Sequence, residues 1–197
     1  MHLLTIFASV FGIIFILELP DKTMFATILM AAKARPLAIF IGASSAFVVH
    51  MVIAVVAGRF LTELPHTPKD IVLSILFFAG AAYLLFVPEK HEETEGAKEA
   101  SHENATKFFP QAATAFGVIF VGEFGDLSQI QTASLVTKLQ HPLVIFLAAS
   151  LALVTVTAIG SFAGSTVTRF ISMKKMRFGG GLIFIGFGVA SLISLFS

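Results

Sequence analysis

Long apolar runs separated by short polar gaps organise this chain. Six stretches qualify as helices across a hydrocarbon core about 30 Å thick, which needs roughly 20 apolar residues: about 3–32, 37–58, 71–87, 108–137, 143–168 and 178–196. The runs lack the in–out alternation of barrel strands, so the pattern predicts α-helices. The third, 71–87, is the shortest and carries no charge, whereas the first and fourth are long enough to tilt or break and hold acidic residues near their middles. No Lys or Arg precedes the first run and no clear small-residue cleavage site closes it, which predicts a span and not a signal peptide. Residues 88–107 (PEKHEETEGAKEASHENATK) have no apolar periodicity and read as a solvated, flexible linker. A sharper reading makes the linker's Glu and His residues a low-affinity cation sensor.

Composition agrees with the pattern. Hydrophobic residues make up 56% of the chain and charged residues 13%, about half of what a soluble surface requires. That excludes a soluble globular enzyme and a disordered chain. A net charge of +1 offers no basic surface for nucleic acid. The absence of Cys excludes disulfides, zinc–thiolate sites and iron–sulfur clusters. The partner implied is the lipid bilayer. Lys33, Arg35, Lys90, Lys98, Lys107, Arg169, Lys174, Lys175 and Arg177 gather on one side, against Arg59, Lys69 and Lys138 on the other, with Lys22 inside a span. Their distribution predicts a cytoplasmic linker and both termini outside. The compact length without a targeting extension predicts a prokaryotic inner membrane.

The chain also repeats itself. Residues 12–33 (GIIFILELPDKTMFATILMAAK) align with 117–138 (GVIFVGEFGDLSQIQTASLVTK), placing Glu18, Asp21, Thr27 and Lys33 on Glu123, Asp126, Thr132 and Lys138, and Thr23 on Ser128. After one inserted residue, Pro36 and Ser44 fall on Pro142 and Ser150. Chance hydrophobicity does not easily match two carboxylates, a hydroxyl and a proline. The predicted organisation is a three-helix repeat over 1–88, the acidic linker over 89–107, and a second three-helix repeat over 108–197. An odd number of spans per repeat inverts the second half, a recurrent transporter plan. The expected fold is an all-α integral membrane protein of six transmembrane helices in two inverted repeats.

Four carboxylates fall within the spans: Glu18, Asp21, Glu123 and Asp126. Each costs about 2.5–3.5 kcal/mol to insert, and apolar residues at about 0.3–0.6 kcal/mol apiece just offset such a pair. A span with so little margin is not expected to carry acids without a use. Residues i and i+3 share a helix face, so each motif presents two carboxylates side by side. Pro20 and Gly125 precede the Asp residues and predict a kink or opening. Thr23 and Ser128 join the acids only if the helix unwinds there, which also frees carbonyl oxygens. Two facing motifs make an all-oxygen site suited to Mg²⁺, Ca²⁺ or Mn²⁺. Crowded carboxylates bind protons too, so a divalent cation and protons compete for the same oxygens. No phosphate loop suggests ATP as a drive, and no cofactor is implied.

On these residues the chain resembles the family of cation/proton exchangers that includes Golgi transmembrane protein 165 and the bacterial manganese exporter MneA. The family's mark is a doubled Glu-x-Gly-Asp-(Lys/Arg)-(Thr/Ser) motif in the first and fourth of six core spans, with an acidic cytoplasmic central loop. The resemblance covers essentially the whole chain. It implies export of Mn²⁺ first, Ca²⁺ second, in exchange for protons by alternating access, with Glu18, Asp21, Thr23, Glu123, Asp126 and Ser128 as metal ligands. Pro20 stands where the family has glycine, and Leu127 where it has a second Lys or Arg.

Around that core, Lys22 reads as a counter-charge for the empty site or a side chain snorkelling to the interface. Gln129 shares the face of Asp126 and reads as a ligand, a donor behind the ligands, or an interhelical hydrogen bond. His50 has no repeat equivalent, since Val156 takes its place. It reads as a hydrogen-bonded core histidine or a proton acceptor on the exit path. Ser44 and Ser150 suit close helix packing or a path, and Thr27 and Thr132 are expected to bond back to their own helices. The rival functions are an exporter of small organic cations or amino acids, an intramembrane hydrolase, and a non-transporting scaffold. Either a monomer or a homodimer fits the sequence.

Overall fold

The computed structural model describes residues 2–19, 21–63, 66–86 and 107–167, and isolated positions between 178 and 193. The linker, and with it the sensor reading, lies outside the described residues, as does most of the sixth predicted span. Among the described residues the protein is helical throughout: α1 (Leu3–Glu18), α2 (Lys22–Lys33), α3 (Pro36–Thr62), α4 (His66–Phe86), α5 (Phe108–Gly122), α6 (Leu127–Leu139) and α7 (Pro142–Val167).

The first and fourth predicted spans are each two helices. The turn between α1 and α2 lies at Leu19–Asp21, and α5 and α6 meet at an angle of 69°. Both second legs end alike: Lys33 and Lys138 lie in the last turns, where a cation complements the helix dipole. Ala34 then leaves the helix in extended conformation and Gln140 in the left-handed one (φ 56°), a common terminator. Pro36 and Pro142 open the next helices, their fixed φ suiting a first-turn position and their missing N–H losing no bond there. Helix α4 begins at His66, five residues before the apolar run. Hydropathy marks the bilayer and not the helix end, and Pro68 is tolerated in a first turn.

Two unbroken helices, Pro36–Thr62 and Pro142–Ala163, are long and apolar enough to cross a membrane, and the bent pair α5–α6 makes a third candidate. Helix α3 packs chiefly on α5, α6 and α7, while α7 packs on α1, α2 and α3. A Cβ added at Gly42 would overlap the Ala112 carbonyl, and one at Gly58 would lie 2.6 Å from the Ala133 carbonyl oxygen. These two glycines let α3 touch both legs of the bent pair, backbone to backbone. The shared core joins Ile6, Val10 and Ile14 of α1 to Ile39, Phe47 and Met51 of α3, Ile119 of α5 and Leu153 of α7. On the outside, Leu37, Ile41, Val52 and Val56 of α3 and Leu143, Leu147 and Leu151 of α7 are exposed. An apolar face of that size suits hydrocarbon, not water.

Candidate functional site

Both breaks are built from the same turn. The Asp21 N–H donates to the Glu18 carbonyl at 3.2 Å, and the Asp126 N–H to the Glu123 carbonyl at 3.2 Å. Each Asp is then the N-cap of the following helix. Asp126 accepts from the Ser128 backbone N–H at 3.3 Å and from its hydroxyl at 3.4 Å, and Asp21 accepts from the Thr23 hydroxyl at 3.4 Å. Unwinding at the break thus carries Thr23 and Ser128 round to the acids, as the spacing required.

The two turns face each other. One oxygen from each of Glu18, Asp21, Glu123 and Asp126 lies within 4.8 Å of the other three. Glu18 and Glu123 are each 2% exposed, and the two Asp residues are half-buried. Ser128 and Glu18, one from each motif, line the same small cavity. Glu18 Oε1 meets no donor, and a buried carboxylate oxygen without one is costly unless a cation takes the place. Leu17, Glu18, Asp21, Asp126, Leu127 and Ser128 line a cavity of about 10 Å³, room for about one water-sized sphere. The arrangement offers a hard, all-oxygen pocket for a small cation.

The remaining sequence candidates divide. Gln129 of α6 staples the break to the end of α5: its amide Nε2 donates to the Glu123 carbonyl, and its Oε1 accepts from the Gly125 N–H at 3.2 Å. Gly125, with φ of 82°, takes a conformation that only glycine adopts cheaply. His50 is fully buried against α5, its ring stacked on Phe120 at 4.9 Å and its Nε2 3.1 Å from the Phe120 carbonyl oxygen. A carbonyl only accepts, so Nε2 carries the proton and donates; Nδ1 has no partner. The bend explains that bond. In the helix Phe124 N–H would reach Phe120, but at the break it donates to Val121, and His50 takes the vacated carbonyl.

Ser44 is buried, meets no hydrogen-bond partner and does not line the cavity, as is true of Ser150. Thr27 and Thr132 do bond back, to the Met24 carbonyl at 2.8 Å and the Ser128 carbonyl at 2.8 Å. Lys22 is the first residue of α2; the counter-charge expected of its side chain lies outside the described residues. The sequence missed the stapling role of Gln129, because an amide four residues past a glycine folds back only once the turn is open.

Comparison with known proteins identifies the family. The family described as divalent cation/proton antiporter GDT1 matches residues 6–92 and 111–197. The chain is 28% identical to Protein PAM71, chloroplastic, of Arabidopsis thaliana over 96% of its own length and 57% of the relative's. It is 27% identical to GDT1-like protein 1, chloroplastic, of Oryza sativa subsp. indica, covering 96% of itself and 62% of that protein. With GDT1-like protein 3 of the same rice it shares 30% identity over 94% of itself and 72% of that protein. The chain therefore spans about 57–62% of the first two of these relatives. No solved structure is similar to it. Relatives named chloroplastic lend no support to the prokaryotic inner membrane expected above. The chain belongs to the divalent cation/proton antiporter GDT1 family, a family of membrane transporters and not of enzymes.

Proposed function

We propose that this member of the antiporter family exchanges a divalent cation, Mn²⁺ first and Ca²⁺ next, for protons by alternating access at the four-carboxylate cluster. The observation that carries the reading is the 4.8 Å limit on the separation of the four carboxylate oxygens. Oxygens bound to one ion at about 2.3–2.6 Å lie no more than about 4.6–5.2 Å apart. The cluster is thus already the size of a single coordination sphere, with Thr23 and Ser128 at its edge as further oxygens. The small cavity favours a bare ion over an organic cation.

Six spans in two inverted halves are part of this proposal, and the packing supports it. Helix α3 lies on α5 and α6 as α7 lies on α1 and α2, the relation that a two-fold axis in the membrane plane produces. With 89–107 cytoplasmic and the termini outside, the deprotonated cluster takes the cation from one side. Protons arriving from the other side occupy the same oxygens and release it.

Proteoliposomes carrying the purified chain test this. An imposed pH gradient should drive Mn²⁺ movement, and Glu18→Gln with Asp126→Asn should abolish it. Transport at the wild-type rate in that double variant overturns the site. Binding of Mn²⁺ should tighten as pH rises, since fewer protons then compete.

A further inference from the structure

Helix α6 carries a second polar feature that the carboxylate cluster does not use. Gln131 and Ser134 are both 0% exposed, and neither the Gln131 amide oxygen, its amide nitrogen nor the Ser134 hydroxyl has a hydrogen-bond partner. Threonines elsewhere in these helices satisfy themselves on the preceding turn; these two side chains do not.

Their direction follows from the residues above and below them. Leu127, Gln131, Ser134 and Lys138 are spaced i, i+4, i+7 and i+11, one stripe of a helix. At its inner end Leu127 packs against the cluster formed by Leu17 of α1 and Phe77 and Ala81 of α4. At its outer end the Lys138 ammonium lies 5.7 Å from the Phe77 ring centre. Gln131 and Ser134 therefore lie on the face of α6 turned toward α1 and α4, one and two turns beyond Ser128 of the cluster. The equivalent stripe of α2 reads Lys22, Ala26, Leu29 and Lys33, so the unsatisfied amide and hydroxyl belong to the second half alone.

Polar groups dry and unpaired in one packing are costly, and that cost is relieved where water or a cation reaches them. We propose that Gln131 and Ser134 line the passage by which the hydrated divalent cation moves between the carboxylate cluster and the Lys138 end of α6, with the α4–α6 seam closed over them in this conformation. The inference rests on the exchange function proposed above. Opening needs α4 to separate from α6, exposing a neutral amide oxygen and a hydroxyl oxygen that replace part of the ion's water without holding it as carboxylates do, while the amide N–H groups bond to the remaining water.

The chain has no Cys, so Gln131→Cys and Ser134→Cys give single labelling sites without a background. During Mn²⁺ transport in proteoliposomes both should react with a membrane-impermeant maleimide, at least tenfold faster than Ile130→Cys on another face of the same helix. Rates no faster than at Ile130 overturn the passage. Gln131→Leu, which removes the unpaired amide and keeps the bulk, should slow transport about tenfold while Mn²⁺ affinity stays unchanged. Transport at the wild-type rate in that variant means the seam is packing only. Glu18→Gln serves as the reference: if it leaves Mn²⁺ binding intact, the carboxylate site itself fails, whatever the seam does.

Discussion

At the first break the chain passes from Glu18 to Asp21 through Leu19 and Pro20; at the second it passes from Glu123 to Asp126 through Phe124 and Gly125. The turn bond is the same, yet the supports differ. In the first, Leu19 N–H still reaches the Phe15 carbonyl at 3.0 Å, so that carbonyl stays bonded within its own helix. In the second, the corresponding Phe120 carbonyl is given up by its own helix and taken by His50 of α3. The turn is pinned by the Gln129 amide, where the first motif has Met24. The second break thus borrows support from a side chain on α3.

The comparison fails most visibly if the carboxylates are unequal. Glu18→Gln and Glu123→Gln should each weaken Mn²⁺ binding about 100-fold, or about 2.7 kcal/mol, in calorimetric titration of purified protein. A tenfold gap between them would mean that one half holds the ion alone. Next in size is the staple. Gln129→Leu removes two hydrogen bonds worth about 1 kcal/mol each and should lower the thermal midpoint in detergent accordingly, while Met24→Leu at the other break changes it little. The smallest expected effect is at His50. His50→Phe keeps the stack on Phe120 and strands its carbonyl, for a loss of about 1 kcal/mol, and His50→Gln should recover part of it. Stability unchanged in His50→Phe would mean that the second break does not lean on α3.

Much of this was legible in the chain. Pro20 and Gly125 mark breaks because one lacks a donor and the other tolerates positive φ. The repeat places Glu18, Asp21, Glu123 and Asp126 as two like pairs before any coordinates are known. The hydroxyls of Thr23 and Ser128 needed only the condition that the helix opens. Other features were hidden because they depend on partners far along the sequence. The acceptor of His50 is a carbonyl freed 70 residues away, and nothing in its own neighbourhood predicts that. The role of Gln129 depends on the open turn and not on the helix face it was assigned. Gln131 and Ser134 stand out less in the chain, because neutral side chains cost far less to insert than charged ones. The spacing from Leu127 to Lys138 was nonetheless a readable signal.

The way α3 rests on α5, α6 and α7 bears on how the protein is made. When the ribosome has delivered residues 1–86, the face of α3 that will meet the later helices, with Gly42, His50 and Gly58 on it, still lacks those partners. Insertion and assembly must therefore be separate stages, with the early helices waiting in the bilayer for the late ones. Helix α3 thus owes most of its packing to helices that follow it in the chain, so a chain cut short after α4 leaves it without its main partners.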